Sequence, residues 1–129
     1  MADKNFPMSP LPEGAKRSPC PIATALDLVG DKWTLLVMRD LFVGKSKFGE
    51  FEESPEGIPT NILAERLKRL EAGGMIERNP YQERPVRYAY ALTKKGRGFL
   101  PVLQTMSQWG NDFIAGTWVP PAFFMEMKV

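Results

Sequence analysis

Between Ile58 and Arg78 the hydrophobic period of the chain changes, and that change restricts the fold more than any other feature. Leu63, Leu67 and Leu70 recur at i, i+4 and i+7, which sets them on one narrow stripe of a helix. The opposite face carries Asn61, Ala64, Glu65 and Lys68, and Arg66 and Arg69 flank the stripe. Pro59 suits a first helical turn, where its missing N–H is not needed, and Gly73-Gly74 supplies a left-handed stop. After Gly74 the alternation becomes that of strands. Met75 to Tyr81 reads as one strand, Gln82 to Pro85 as a turn and Val86 to Leu92 as a second strand. Tyr88, Tyr90 and Leu92 share one face of it; Arg87, Ala89 and Ala91 share the other.

Upstream, Ile22, Leu26 and Val29 lie at helical spacing behind Pro21, and Gly30 interrupts them. Asp31 can cap a second helix, whose Trp33, Leu36, Val37, Leu41 and Phe42 are candidates for burial. Ser46 is a candidate cap for a short helix with Phe48 and Phe51 turned inward, and Ser54 to Ile58 reads as a turn. Downstream, Thr93 is expected to cap one long helix that runs through Phe99, Met106, Trp109 and Phe113 to Ile114. Pro101 must either bend that helix or mark its first turns. Its apolar surface exceeds what a domain of 129 residues easily covers, which points to a dimer seam. The expected organisation is a flexible, proline-rich arm over residues 1–19, one domain over 20–116 and a tail over 117–129. The tail is apolar and is expected to pack on a partner or to line a pocket.

Charge is unevenly placed. From Thr60 to Arg97 nine Lys/Arg face four Glu, whereas from Asp40 to Glu56 two Lys face five acids. A basic half suggests a polyanionic partner, although solvation of an ordinary surface would give the same count. The chain has no histidine and a single cysteine, so the usual proton shuttle, the commonest metal ligand and any intrachain disulfide are all missing. No cofactor or metal is expected. No window approaches a membrane span and the N-terminus lacks the pattern of a signal peptide, so the expected location is the cytoplasm.

A helix, a short helix, a turn, a polar-faced helix and a two-stranded ribbon form, in that order, a winged helix-turn-helix. The expected fold is mainly α with a two-stranded β-wing, flanked by N- and C-terminal dimerisation helices. Such an arrangement sets one helix in the major groove and the ribbon tip at an adjacent groove.

Several motifs then occur together: Cys20-Pro21, Gly30-x-Lys32-Trp33, Phe48-Gly49-Glu50, Leu67-x-x-Leu70-Glu71 followed by Gly73 and Ile76-Glu77-Arg78, and Tyr90-x-Leu92-Thr93-x-x-Gly96. In this order they resemble the HxlR-type family of bacterial, MarR-like transcriptional regulators, over roughly Cys20 to Gly110. The resemblance implies a homodimer, joined through its first and last helices, that binds double-stranded operator DNA at the bacterial nucleoid. It also implies that a cysteine in the Cys-Pro position can sense oxidants or electrophiles, so a small-molecule or oxidant effector is a possible partner. Two departures stand out. Lys94 and Lys95 occupy the start of the last helix, where the family has an acidic residue or proline, and Pro59 replaces a small polar cap.

For base reading Asn61 comes first, because its amide pairs bidentately with adenine, and Thr60 second; Ala64 can touch a thymine methyl. Arg66, Lys68 and Arg69 are expected at phosphates or at flanking carboxylates, and Glu65 lies on the same face. Arg84-Pro85-Val86-Arg87 forms a stiff tip suited to a narrow minor groove. Lys94 and Lys95 are read as reaching for phosphates, with idle exposure the alternative. Ser46 and Lys47, at the start of the short helix, complete the DNA-facing set. Cys20 stands at a helix start with Lys16 and Arg17 close in sequence, a setting that favours the reactive thiolate; the other reading is a small packing residue. An enzyme reading would rest on Glu50, Glu52 and Glu53 alone, with nothing to pair or orient them. A winged helix used to bind protein instead of DNA is the remaining alternative.

Overall fold

The computed structural model describes residues 16–129, in the order α1 (Pro21–Val29), α2 (Thr34–Phe42), α3 (Phe48–Glu52), α4 (Thr60–Ala72), β1 (Ile76–Glu83), β2 (Val86–Leu92), α5 (Lys94–Arg97), α6 (Leu100–Phe113) and α7 (Ala122–Glu126). Most of the expected flexible arm lies outside the described residues. Its last part is placed against α1, where Arg17 pairs with Asp27 at 2.9 Å. Among the described residues no helix is long and apolar enough to cross a membrane.

The core is one cluster, and α4 supplies its centre. Leu63, Leu67 and Leu70 are each 2% exposed or less and meet Val37, Met38 and Leu41 of α2, Phe51 of α3, and Met75 and Ile76 at the entry to the wing. Leu100 and Leu103 of α6 and Phe124 of α7 close the cluster from the other side. Gly74, at φ +74°, ends α4 in the left-handed region that a side chain would strain. Tight packing fixes a second glycine: a Cβ on Gly96 would lie 2.1 Å from the carbonyl oxygen of Met75.

The wing is an antiparallel pair with Ile76 opposite Leu92 and Glu83 opposite Val86. Its first strand starts one residue later than expected and ends two residues later, because a bulge between Pro80 and Gln82 absorbs Tyr81 and lets pairing continue to a two-residue tip, Arg84-Pro85. The Gln82 amide donates to the Pro85 carbonyl at 3.0 Å and closes that tip. At its inner side the wing is tied to the helices. The Tyr90 N–H donates to the Ser46 carbonyl at 2.8 Å, and Lys47 forms a single bridge with Ala89.

Two local expectations are corrected. The helix expected from Thr93 to Ile114 is two helices. Thr93 does cap the first, its hydroxyl accepting from the Gly96 N–H at 3.2 Å, but the chain turns at Gly98 and Phe99. Pro101 has no N–H for a continuing ladder and sits instead in the first turn of α6. Ser46 does not cap α3. The Glu50 carboxylate reaches back and accepts from the Ser46 and Lys47 N–H groups at 3.1 and 2.9 Å, and these bonds, Lys47's the larger, hold its pKa below the usual value.

The C-terminal segment folds onto its own chain. The Gln104 amide lies within hydrogen-bond distance of the carbonyls of Phe124, Met125 and Met127, and Phe124 is buried. The tail thereby lines a pocket against α2 and α6.

Candidate nucleic-acid interface

With its leucine stripe buried, α4 has only one face left for a ligand. Thr60, Asn61, Ala64, Glu65 and Lys68 are all exposed along it. Thr60 leads this face, and its hydroxyl donates to Glu52 of α3 at 2.7 Å, fixing the approach of the two helices. Pro59 precedes the helix in an extended conformation, so the helix proper starts at Thr60.

The rotation of α4 about its axis is set by a carboxylate in the turn ahead of α2. Asp31 accepts from Arg66 Nε at 3.0 Å and from Arg69 Nη2 at 2.6 Å. It also accepts from the N–H groups of Trp33 and Thr34 and from the Thr34 hydroxyl at 2.5 Å, and so caps α2 as expected. Burial alone would raise the Asp31 pKa. The bonds from Thr34, Trp33 and Arg66 outweigh it and hold the carboxyl well below the ordinary range. Of the two destinations expected for Arg69, a phosphate or a flanking carboxylate, the structure supplies the carboxylate. Arg69 Nε is buried without a partner. Arg66 also contacts Glu65, which leaves Lys68 as the exposed cation of this face without an ion pair among the described residues.

A second charged set holds the turn between α3 and α4. Arg39 is bidentate to Glu56, at 2.7 and 2.8 Å, and donates to buried Asp40 at 2.9 and 3.1 Å. Its bonds to Glu56 lower the Glu56 pKa and raise that of Arg39. The Ser54 hydroxyl donates to Asp40 and accepts from Lys45 Nζ at 2.9 Å. From the sequence, Asp40, Lys45 and Glu56 enter only the charge count of an acidic stretch and Ser54 only a turn, and Arg39 is given no role. Their link is tertiary, and no local spacing marks it.

On the wing, Arg84 and Arg87 are exposed at and beside the tip, Arg87 opposite Gln82. Lys47 lies 4.6 Å from the centre of the Tyr81 ring, so the start of α3 and the wing bulge form one continuous basic-aromatic edge. Lys94 is exposed at the foot of the wing. Lys95, expected to reach outward with it, instead donates to the Gly73 carbonyl at 2.8 Å, where the negative end of the α4 dipole favours a cation. Among the described residues Lys47, Lys68, Arg84, Arg87 and Lys94 form no ion pair.

Cys20 stands apart from this surface. It precedes α1 in an extended conformation, half-buried, with its N–H donated to the Ser18 hydroxyl at 3.0 Å. The nearby Arg17 guanidinium is held by Asp27 and by the Ala23 carbonyl.

Residues 28–117 match the HxlR-like helix-turn-helix family. The chain belongs to that family. Its HxlR-like core resembles an uncharacterized HTH-type transcriptional regulator of Synechocystis sp., 41% identical over 74% of this chain and 70% of that protein. A relative from Mycobacterium bovis, also an uncharacterized HTH-type transcriptional regulator, is 37% identical over 78% of this chain; the match spans 63% of that relative's length. Among solved structures, the protein PA1607 superposes with a TM-score of 0.72 at 39% identity, covering 81% of this chain and 75% of that one. The redox regulator HypR in its oxidized form gives 0.66 at 33% identity, covering 72% and 96%. The winged-helix architecture and the HxlR-like, MarR-like assignment drawn from the motifs both stand.

Proposed function

We propose that this HxlR-like chain is a transcriptional regulator that binds duplex DNA as a homodimer, at an operator with two related half-sites. The observation that carries the reading is the orientation of α4. Its leucines are buried, its two half-buried arginines are turned back onto Asp31, and an uncommitted face of Asn61, Ala64 and Lys68 points outward beside a wing with two free guanidiniums. In this reading Asn61 and Thr60 meet base edges and Ala64 a thymine methyl. Lys68, Arg84, Arg87, Lys94, Lys47 and Ser46 meet phosphates or the minor groove. Arg69 acts from behind, as a positioning residue. The second copy would cover the apolar stripe left open on α6, with Met106, Trp109 and Phe113 each more than half exposed, together with Ile22 and Leu26 of α1.

The test is fluorescence anisotropy of the full chain on labelled duplexes, its own upstream region and a random sequence, across a salt series. DNA binding requires affinity that falls steeply with salt and a preference for one natural site. Flat salt dependence and no preference would favour a winged helix that binds protein.

A redox response through Cys20 is a second element of the proposal. The half-buried thiol at the start of α1 and the likeness to a redox regulator support it. Its test is the release of DNA by mild oxidant.

A further inference from the structure

The face that the proposed function turns toward DNA carries one group that phosphates repel. Glu65 stands among Asn61, Ala64 and Lys68 with its side chain 51% exposed. A carboxylate displaces no counterion from the duplex, so it adds nothing to general attachment. Its ordinary partners on the helix surface would be Lys68 and Arg69, three and four residues on. Neither takes it. Lys68 forms no ion pair among the described residues, and Arg69 donates to Asp31 at 2.6 Å.

Arg66 holds Glu65 instead. The guanidinium donates through Nε to Asp31 at 3.0 Å and through Nη1 to Glu65 Oε2. The side chains of Arg66 and Asp31 are 19% and 21% exposed, so a half-buried pair fixes the exposed carboxylate from behind. Two carboxylates, Asp31 and Glu65, stand against two guanidiniums, Arg66 and Arg69, and the cluster sums to zero charge. It can therefore face a duplex without presenting a net negative charge to the phosphates. Glu65 Oε1 has no partner among the described residues and keeps its lone pairs free.

A positioned acceptor selects among bases by what each presents in the major groove. Guanine offers only acceptors there, and thymine an acceptor and a methyl group. Adenine offers the N6 donor, but the N7 acceptor beside it repels a carboxylate. Cytosine offers the N4 donor with no acceptor on its own edge. We infer that Glu65 is a specificity-determining residue, which accepts a hydrogen bond from cytosine N4 and disfavours the other three bases at that position. The inference rests on the proposed function and adds a second base to the one given to Asn61. Four residues of helix rise about 6 Å and base pairs lie about 3.4 Å apart, so the cytosine falls within about two base pairs of that adenine. Arg66 serves as a positioning residue for the carboxylate.

The test is selection by the full chain from a library of randomised duplexes, followed by anisotropy on the selected duplex and its single-base variants. The expected wild-type consensus holds a cytosine at one position that answers to Glu65. Glu65→Gln keeps the shape, removes the charge and offers a donor and an acceptor that suit adenine N6 and N7. It should move that position from cytosine to adenine and weaken binding to the cytosine duplex about tenfold or more. Glu65→Ala should leave the position without preference. Both variants should bind random duplex as well as the wild type or better, since a carboxylate has left the face. Both should keep the wild-type melting curve, because Arg66 retains Asp31. A cytosine preference that survives both substitutions, or a consensus in which no position responds to them, would overturn the role. So would an equal loss on selected and random duplexes, which is the behaviour of a purely structural Glu65. Failure of the proposed function reads differently: the wild type then enriches no duplex at all, and the inference falls with it.

Discussion

Asp31, ahead of α2, accepts a 2.6 Å hydrogen bond from Arg69 of α4, 38 residues further along the chain. One carboxylate thus starts one helix and sets the rotation of the next. Asp31→Asn keeps an acceptor for the cap and removes the charge that holds Arg66 and Arg69. The expected loss is about 1–3 kcal/mol of stability at neutral pH, from hydrogen bonds to a charged group. The sign with pH is fixed by the direction of the shift. A carboxyl held below its ordinary pKa stabilises the fold above about pH 4 and loses that contribution as pH falls. The gap between wild type and Asp31→Asn should therefore close below about pH 4 in urea titrations. A gap that widens in acid would contradict the assignment.

Helix and strand were legible from the sequence because their periods are local. Leu63, Leu67 and Leu70 announced α4, and the alternation after Gly74 announced the wing. What the sequence hid was the destination of long charged side chains. Arg69 turns to a carboxylate 38 residues away, Lys95 to the carbonyl of Gly73, and Glu50 takes the capping task that Ser46 seemed suited to. Such choices depend on which backbone atoms tertiary packing brings near. The exposed members of the expected DNA face, Asn61, Ala64 and Lys68, followed directly from the stripe, since burying one side of a helix exposes the other. Asp40 and Glu56 were legible only as members of an acidic stretch, and they are tied to Arg39.

Asn61→Ala should separate base reading from simple attachment. Its amide is the side chain on the open face of α4 best suited to bidentate pairing with adenine. The expected loss is roughly 1–3 kcal/mol of preference for the natural site over random duplex, with random affinity nearly unchanged. Anisotropy on both duplexes reads this directly, and an unchanged preference would place base reading elsewhere on α4.

Arg84→Ala and Lys94→Ala should behave differently. Both side chains are exposed and without ion pairs among the described residues, so in the proposed complex both are free to meet the charged DNA backbone. Each should weaken natural and random duplexes alike and lower the slope of log affinity against log salt by about 1. An unchanged slope would mean that the side chain does not displace a counterion.

Cys20 is the only thiol in the chain, which makes its test unambiguous. Diamide or peroxide should release the wild type from DNA and leave Cys20→Ser bound, with modification confirmed by intact mass. The coupling would run through α1, whose outward Ile22 and Leu26 belong to the proposed dimer face. Equal release of both proteins would return Cys20 to a packing role.

The apolar stripe on α6 supports the last prediction. Trp109 is 58% and Phe113 72% exposed, their rings 5.5 Å apart, on a helix whose opposite side already fills the core through Leu100 and Leu103. A lone chain would leave two large aromatic rings side by side in water, next to Met106 and within one chain of exposed Ile22 and Leu26. A second copy related by a two-fold axis would remove that surface from water and would set two α4 helices for half-sites about one helical turn apart, roughly 34–36 Å. Trp109→Glu changes a side chain that contributes little to the core of its own chain, so the monomer fold should survive, as circular dichroism can verify. Sedimentation at micromolar concentration should then show a dimer for the wild type and a single chain of 14.5 kDa for the variant. A monomeric wild type, or a Trp109→Glu chain that remains dimeric, would place the interface elsewhere.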